Sequence, residues 1–169
     1  RDRSPSRGLG DVYKRQDGIQ DPGNLGTILR TVDAAGLNQI VLSKETADSF
    51  NPKVVRSTMG GIFRVNIIKS DDLLETLKEL QNNGFEVVVT SLDTDNSVYD
   101  INYNKKAIVI GNEAKGVSQR IQDLANKKVK IPMLGKTESL NASVAAGIMI
   151  YELSLIHISE PPRRTPISY

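Results

Sequence analysis

Residues 17–153 alternate short β-rich runs with helical patterns, and this alternation commits the chain to an α/β fold on a mainly parallel sheet. Strands are expected at 39–42, 63–68, 85–91, 107–111 and 128–132. Several of these runs are almost wholly apolar, as in strands covered on both faces. Helices are expected at 24–35, 52–59, 71–83, 118–126 and 141–153. In the first, Leu25, Ile28, Leu29 and Val32 form one stripe, and Asn24 is placed as its N-cap. Gly60, Gly61 and Gly84 supply helix stops. The turn at Asp17 and Gly18 calls for a preceding strand, for which Val12 and Tyr13 are weak material.

The two ends differ from the middle. Residues 1–16 and 154–169 lack periodicity, are basic or proline-containing, and resemble translated sequencing-adapter read-through. They are expected to be non-native tails flanking one domain at 17–153. The charge balance depends on this division. The chain carries 22 basic and 20 acidic residues, net +2. Setting aside seven basic and three acidic tail residues leaves 15 and 17, net −2. Net charge therefore gives no sign of nucleic-acid binding by the domain.

Several classes are excluded by composition. There is no cysteine, and the only histidine, His157, lies in a suspect end. Thiolate zinc sites, cysteine nucleophiles and a Ser-His-Asp triad are thereby ruled out of the domain. No apolar run reaches the ~18 residues of a membrane span, and no signal peptide is evident, so a cytoplasmic protein is expected. Asp93 and Asp95 sit in a D-T-D-N stretch that reads as an exposed turn rather than a metal site.

Three polar or glycine-rich segments fall at strand-to-helix junctions, where open α/β sheets bind ligands. They are D-G-I-Q-D-P-G-N-L-G-T-I-L-R at 17–30, I-G-N-E-A-K-G-V-S at 110–118, and I-P-M-L-G-K-T-E-S-L-N-A-S-V-A-A-G at 131–147. In the first, Arg30 lies opposite the apolar stripe, one turn beyond Gly26, whose lack of a side chain leaves room for something large. On periodicity alone Arg30 reads more readily as an ordinary solvated surface residue. In the second, Gly111 ends a buried strand and permits close approach of a ligand to the backbone. Glu113 stands in the following turn, either as a site residue or as a plain exposed glutamate. In the third, Gly135-Lys136-Thr137 imitates the end of a P-loop. The required glycine five residues earlier is Lys130, so a nucleotide-triphosphatase reading fails. Ser139, Leu140 and Asn141 then precede a helix rich in small residues, which suits close packing with or without a ligand.

Together, the three junctions resemble the three signature motifs of the SpoU (TrmH) family of SPOUT methyltransferases, in order and in spacing. The resemblance covers 17–153. It implies a parallel-sheet SPOUT fold with a C-terminal deep trefoil knot, although true knots are rare. It implies S-adenosyl-L-methionine as cofactor, held near Gly111, Ile131 and Leu140, with Met133 and the strand end Thr90, Ser91 and Leu92 alongside. Asn24, Arg30, Glu113, Ser139 and Asn141 match the family's catalytic and substrate-handling positions. The implied reaction is methyl transfer to a ribose 2′-hydroxyl of RNA, ribosomal before transfer RNA, without a metal and by a homodimer packed through the knot. The family mechanism makes Arg30 the base, whereas bidentate phosphate binding suits a guanidinium better. The alternative is a non-catalytic RNA-binding protein that retains the fold.

Overall fold

The structure is a computed structural model that describes residues 13–102, 105–112, 115–137 and 139–159. Six strands form one wholly parallel sheet: β1 (Tyr13–Asp17), β2 (Gln39–Ser43), β3 (Asn66–Ser70), β4 (Glu86–Thr90), β5 (Lys106–Gly111) and β6 (Lys127–Val129), in the order β3-β2-β1-β5-β4-β6. Among the described residues five α-helices connect or follow them: α1 (Pro22–Ala34), α2 (Pro52–Ser57), α3 (Leu73–Asn82), α4 (Gln119–Leu124) and α5 (Ala142–Ser159).

Alternation along the central strands sorts the core into two layers. On one face, Val88, Ile108 and Ile110 pack with Leu25, Ile28, Leu29 and Val32 of α1 and with Met149, Ile150 and Leu153 of α5. On the other, Val87, Val89, Ala107 and Val109 meet Leu73 and Leu77 of α3 and Ile121 of α4. Burying a side chain of this size stabilises the fold by about 1.5–3 kcal/mol. All six residues of β5 are buried, as its near-continuous apolar run requires. The sheet reverses its direction of growth between β1 and β5, and open parallel sheets bind ligands at the carboxyl ends of their strands.

Several boundaries differ from the sequence expectation. The division after residue 16 cuts through β1, whose backbone pairs with both β2 and β5. Main-chain ladder bonds do not depend on side-chain type, so a polar stretch can fill the central position. The division after residue 153 likewise cuts through α5, which runs to Ser159. Residues 1–12 and 160–169 lie outside the described residues. The strand expected at 63–68 begins at Asn66. Left-handed Met59 (φ 51°) and Gly60 (φ 83°) lead into a 3-10 turn at Gly61–Phe63, which delays it. The strand expected at 128–132 is β6 alone, shorter and one residue earlier.

Helix α1 starts two residues before Asn24. Its N-cap is Asp21, whose carboxylate accepts from the Asn24 N–H at 2.8 Å, with Pro22 in the first turn. Gly26 does not leave open space. A side-chain carbon there would lie 1.7 Å from Ser57 Oγ and 3.0 Å from the Val54 carbonyl. The glycine is present because α2 packs directly on it.

Candidate active site

A cavity of about 590 Å³ opens at the carboxyl ends of β4, β5 and β6. Its size falls in the usual range for small-molecule sites. Thr90, Ser91 and Leu92 line it from the end of β4, Gly111 from the end of β5, and Ile131 and Met133 from the segment after β6. Ser139 and Leu140 approach from the residues preceding α5. The seven positions expected to touch a cofactor thus border one space, and Ser139 joins them. Leu92 and Leu140 remain exposed at its edge.

The loop after β5 shapes the floor. A side-chain carbon on Gly111 would fall 2.1 Å from the Gly116 carbonyl carbon and 2.3 Å from the Val117 nitrogen. The clearance at Gly111 is therefore used by the chain itself, not kept for a ligand. The loop folds back through paired bonds between Asn112 and Gly116, at 3.1 and 2.9 Å, with Gly116 left-handed at φ 67°. Asn112 Nδ2 also donates to the Gly18 carbonyl at 2.8 Å, tying this loop to the turn after β1. Glu113, in the same loop, lies outside the described residues.

Sequence reasoning missed several lining residues. Asn112, Lys115, Gln119 and Gln122 border the cavity, as do Ala142 and Ala145 of α5. Gln119 and Gln122 are a helical i,i+3 pair, which in sequence looks like any solvated helix face. Asn112 and Lys115 lie inside the second motif and Ala142 and Ala145 inside the third, and that membership was the available signal.

Beside the cavity, the first and third junctions meet. Asn141 Nδ2 donates to Asn24 Oδ1 at 3.1 Å. Asn141 Oδ1 accepts from the N–H and hydroxyl of Ser143, at 2.9 and 2.6 Å, and so caps α5. Arg30 is exposed on α1 and does not line the cavity. It stands about 9 Å along the helix axis from Asn24, at 1.5 Å per residue. Of the five catalytic candidates, the structure brings Asn24 and Asn141 into contact, sets Ser139 on the cavity wall, and places Arg30 on the neighbouring helix surface.

Charges near α1 are partly paired. Arg64 grips Asp33 with Nε at 2.9 and 3.1 Å and with Nη2 at 2.7 Å, and this hydrogen bonding holds the Asp33 carboxyl below its ordinary range. Among the described residues no three His, Cys, Asp or Glu side chains group as metal ligands. None of their helices is long and apolar enough to cross a membrane.

Known proteins resemble this chain in sequence and in fold. The sequence profile of the SpoU rRNA methylase family matches residues 16–151. The chain is 39% identical over 138 residues to the 23S rRNA (guanosine(2553)-2′-O)-methyltransferase RlmP of Bacillus subtilis, covering 81% of this chain and 55% of that protein. Among solved structures, the AdoMet-bound rRNA methyltransferase of Sinorhizobium meliloti superposes with a TM-score of 0.82 at 35% identity, over 89% of this chain and 58% of that one. The SpoU methyltransferase AviRb of Streptomyces viridochromogenes, in complex with AdoMet, also gives 0.82, at 30% identity over 90% and 63%. The chain spans about half the length of the curated relatives it matches. With the profile spanning most of the residues and the parallel sheet shared, the chain belongs to the SpoU rRNA methylase family.

Proposed function

We propose that this chain is the catalytic domain of an S-adenosyl-L-methionine-dependent methyltransferase acting on a ribose 2′-hydroxyl of structured RNA, ribosomal RNA before transfer RNA. The observation that carries the reading is the cavity itself, walled by residues from all the β4, β5, β6 and α5 junctions and adjoined by the Asn24–Asn141 contact. Its chemistry suits the cofactor. Ile131, Leu140, Ala142 and Ala145 offer apolar walls for an adenine, while Thr90, Ser91 and Asp93 offer hydroxyl and carboxylate groups for the ribose and amino-acid portions. The rRNA 2′-O specificity of RlmP and the AdoMet-bound relatives support the same assignment.

When bound, S-adenosyl-L-methionine supplies a methyl group already activated on sulfonium. The residues of the chain then have to position the acceptor. Arg30, exposed on α1, binds an RNA phosphate through its planar fork. Asn24 and Asn141 hold α1 and the start of α5 in register, and Ser139 and Glu113 orient the ribose. A trefoil knot in the C-terminal half belongs to this proposal, as do a cytoplasmic location and a homodimer. The exposed Val144, Tyr151 and Leu155 on α5 form an apolar stripe suited to a second copy.

The test is transfer of tritiated methyl from the cofactor to total RNA, followed by mapping of the modified nucleotide. A label on a ribose 2′-oxygen supports the proposal. A label on a base refutes the 2′-O assignment. Binding of cofactor and RNA without transfer favours a non-catalytic RNA-binding protein.

A further inference from the structure

Residues 49–70 contain Lys53, Arg56, Arg64 and Lys69 and no acidic residue, although residues 13–159 carry 17 basic and 17 acidic residues; Lys69 pairs with Asp48 just before the segment. The same segment holds two of the chain's three phenylalanines, and both are exposed. Phe50 has the Lys69 ammonium 5.9 Å from its ring centre. Phe63 is 87% exposed and Met59 69%, adjoining a turn in which Met59 adopts a left-handed conformation disfavoured for any residue with a Cβ. Exposed aromatic rings beside unpaired cations offer stacking and charge together.

Packing sets this segment alongside α1. The Lys53 side chain comes within 4.0 Å of the side-chain position of Gly23, Ser57 fills the space above Gly26, and Arg64 binds Asp33. Arg30 occupies the same stripe of α1, between the Gly26 and Asp33 contacts. Lys53 and Arg30 therefore follow the seam, with Arg56 on the outer helix and Arg64, paired to Asp33, at its far end. Asp21 and Asp33 are the acidic groups on the α1 side. Arg30, Lys53 and Arg56 make no ion pair among the described residues.

We infer that the α1–α2 seam and the 59–63 turn form an RNA-docking surface outside the cofactor cavity, with Lys53 and Arg56 on phosphates and an unstacked base against Phe63. Cations beside an exposed aromatic ring are the elements of single-strand recognition. A second copy docked through this face is the less suitable occupant, because a two-fold interface would set this cationic patch against the same cationic patch. The α5 stripe offers a copy a less charged face. The inference rests on the RNA reading above.

The experiment measures binding of a fluorescein-labelled, single-stranded RNA 20-mer of mixed sequence by anisotropy, across a salt series. For Lys53→Gln/Arg56→Gln, the slope of log affinity against log salt is expected to become shallower by about 1.4, from roughly 0.7 per phosphate contact. Phe63→Ser is expected to weaken binding about tenfold with the slope unchanged, and Phe63→Trp to keep it. Cofactor affinity and melting temperature should match the parent throughout. Variants that bind like a binding-competent parent overturn this surface and leave the methyltransferase reading intact. A parent that neither binds the 20-mer nor methylates total RNA removes both. Dissociation of an oligomer by Phe63→Ser in sedimentation, with RNA binding retained, assigns the face to a second copy and also overturns the inference.

Discussion

Asn141 holds the first turn of α5 with its side-chain oxygen and reaches Asn24 of α1 with its side-chain nitrogen, 3.1 Å from Asn24 Oδ1. One amide thus performs two separable tasks. Asn141→Asp keeps the cap and loses the donor toward Asn24. It should melt close to the parent while methyl transfer falls. Asn141→Ala loses both and should also cost about 1 kcal/mol of stability. Calorimetric melting beside a transfer assay distinguishes them, and full activity in the aspartate variant would dismiss the contact as incidental.

Gly26→Ala tests the close approach of α1 and α2. The new methyl would overlap Ser57 Oγ, which itself donates to the Lys53 and Val54 carbonyls at 2.9 Å. A loss of about 1–3 kcal/mol is expected in urea unfolding. Adding Ser57→Gly should return part of it. An unchanged midpoint for Gly26→Ala would mean the helices separate at little cost.

Arg30 is exposed, so Arg30→Ala should leave melting and cofactor affinity nearly unchanged. Methyl transfer should fall about a hundredfold or more, the scale expected when an aligned substrate is released. Arg30→Lys keeps the charge but not the fork, and is expected to be nearly as poor. Retention of most of the rate by lysine would show that charge alone suffices.

Leu140→Asp places a carboxylate at the cavity edge. If an adenine lies there, the calorimetric affinity for S-adenosyl-L-methionine should drop roughly tenfold or more in a folded variant. An affinity equal to the parent's would remove Leu140 from the cofactor site.

Lys106 is buried at the start of β5 and pairs with Glu86 of β4. That hydrogen bond, more than the nearby charges of Lys106 and Lys127, lowers the Glu86 carboxyl below its ordinary range. A lowered acid contributes stability above its unfolded pKa and loses it as pH falls through the folded value. Glu86→Gln should therefore cost about 1–2 kcal/mol near neutrality, a modest figure because Glu86 is 44% exposed. The gap between variant and parent should close in acid. A gap independent of pH would point to packing instead.

Much of this architecture was legible in the chain. The apolar run of β5 and the amphipathic patterns of α1 and α3 are determined by local periodicity, and their positions agree to within two residues. The cavity-lining positions followed from motif resemblance, because their proximity depends on crossovers that no local pattern encodes. Three features escaped. The Gly26 contact involves a helix 31 residues away, as Ser57 shows, so a glycine alone could not disclose what fills its space. Phe63 reads as strand by propensity, but the left-handed pair before it moves it onto the surface. Strand β1 was called for by the turn at Asp17 and Gly18, but its polar sequence hid its extent and its central place, which its two ladders supply.

That central strand also dictates an order of events. Tyr13 pairs with Ala107 and Asp17 with Gly111, across 94 residues. During synthesis, at about 5–20 residues per second, the β5 side of β1 stays without its partner for roughly 5–20 seconds. Until then β1, β2 and β3 can form only half a sheet, ending in an open edge at β1. The nascent chain is accordingly most open to mispairing and chaperone capture before residue 111 has emerged, and the cavity at the ends of β4, β5 and β6, which also needs Leu140 and Ala145, forms later still.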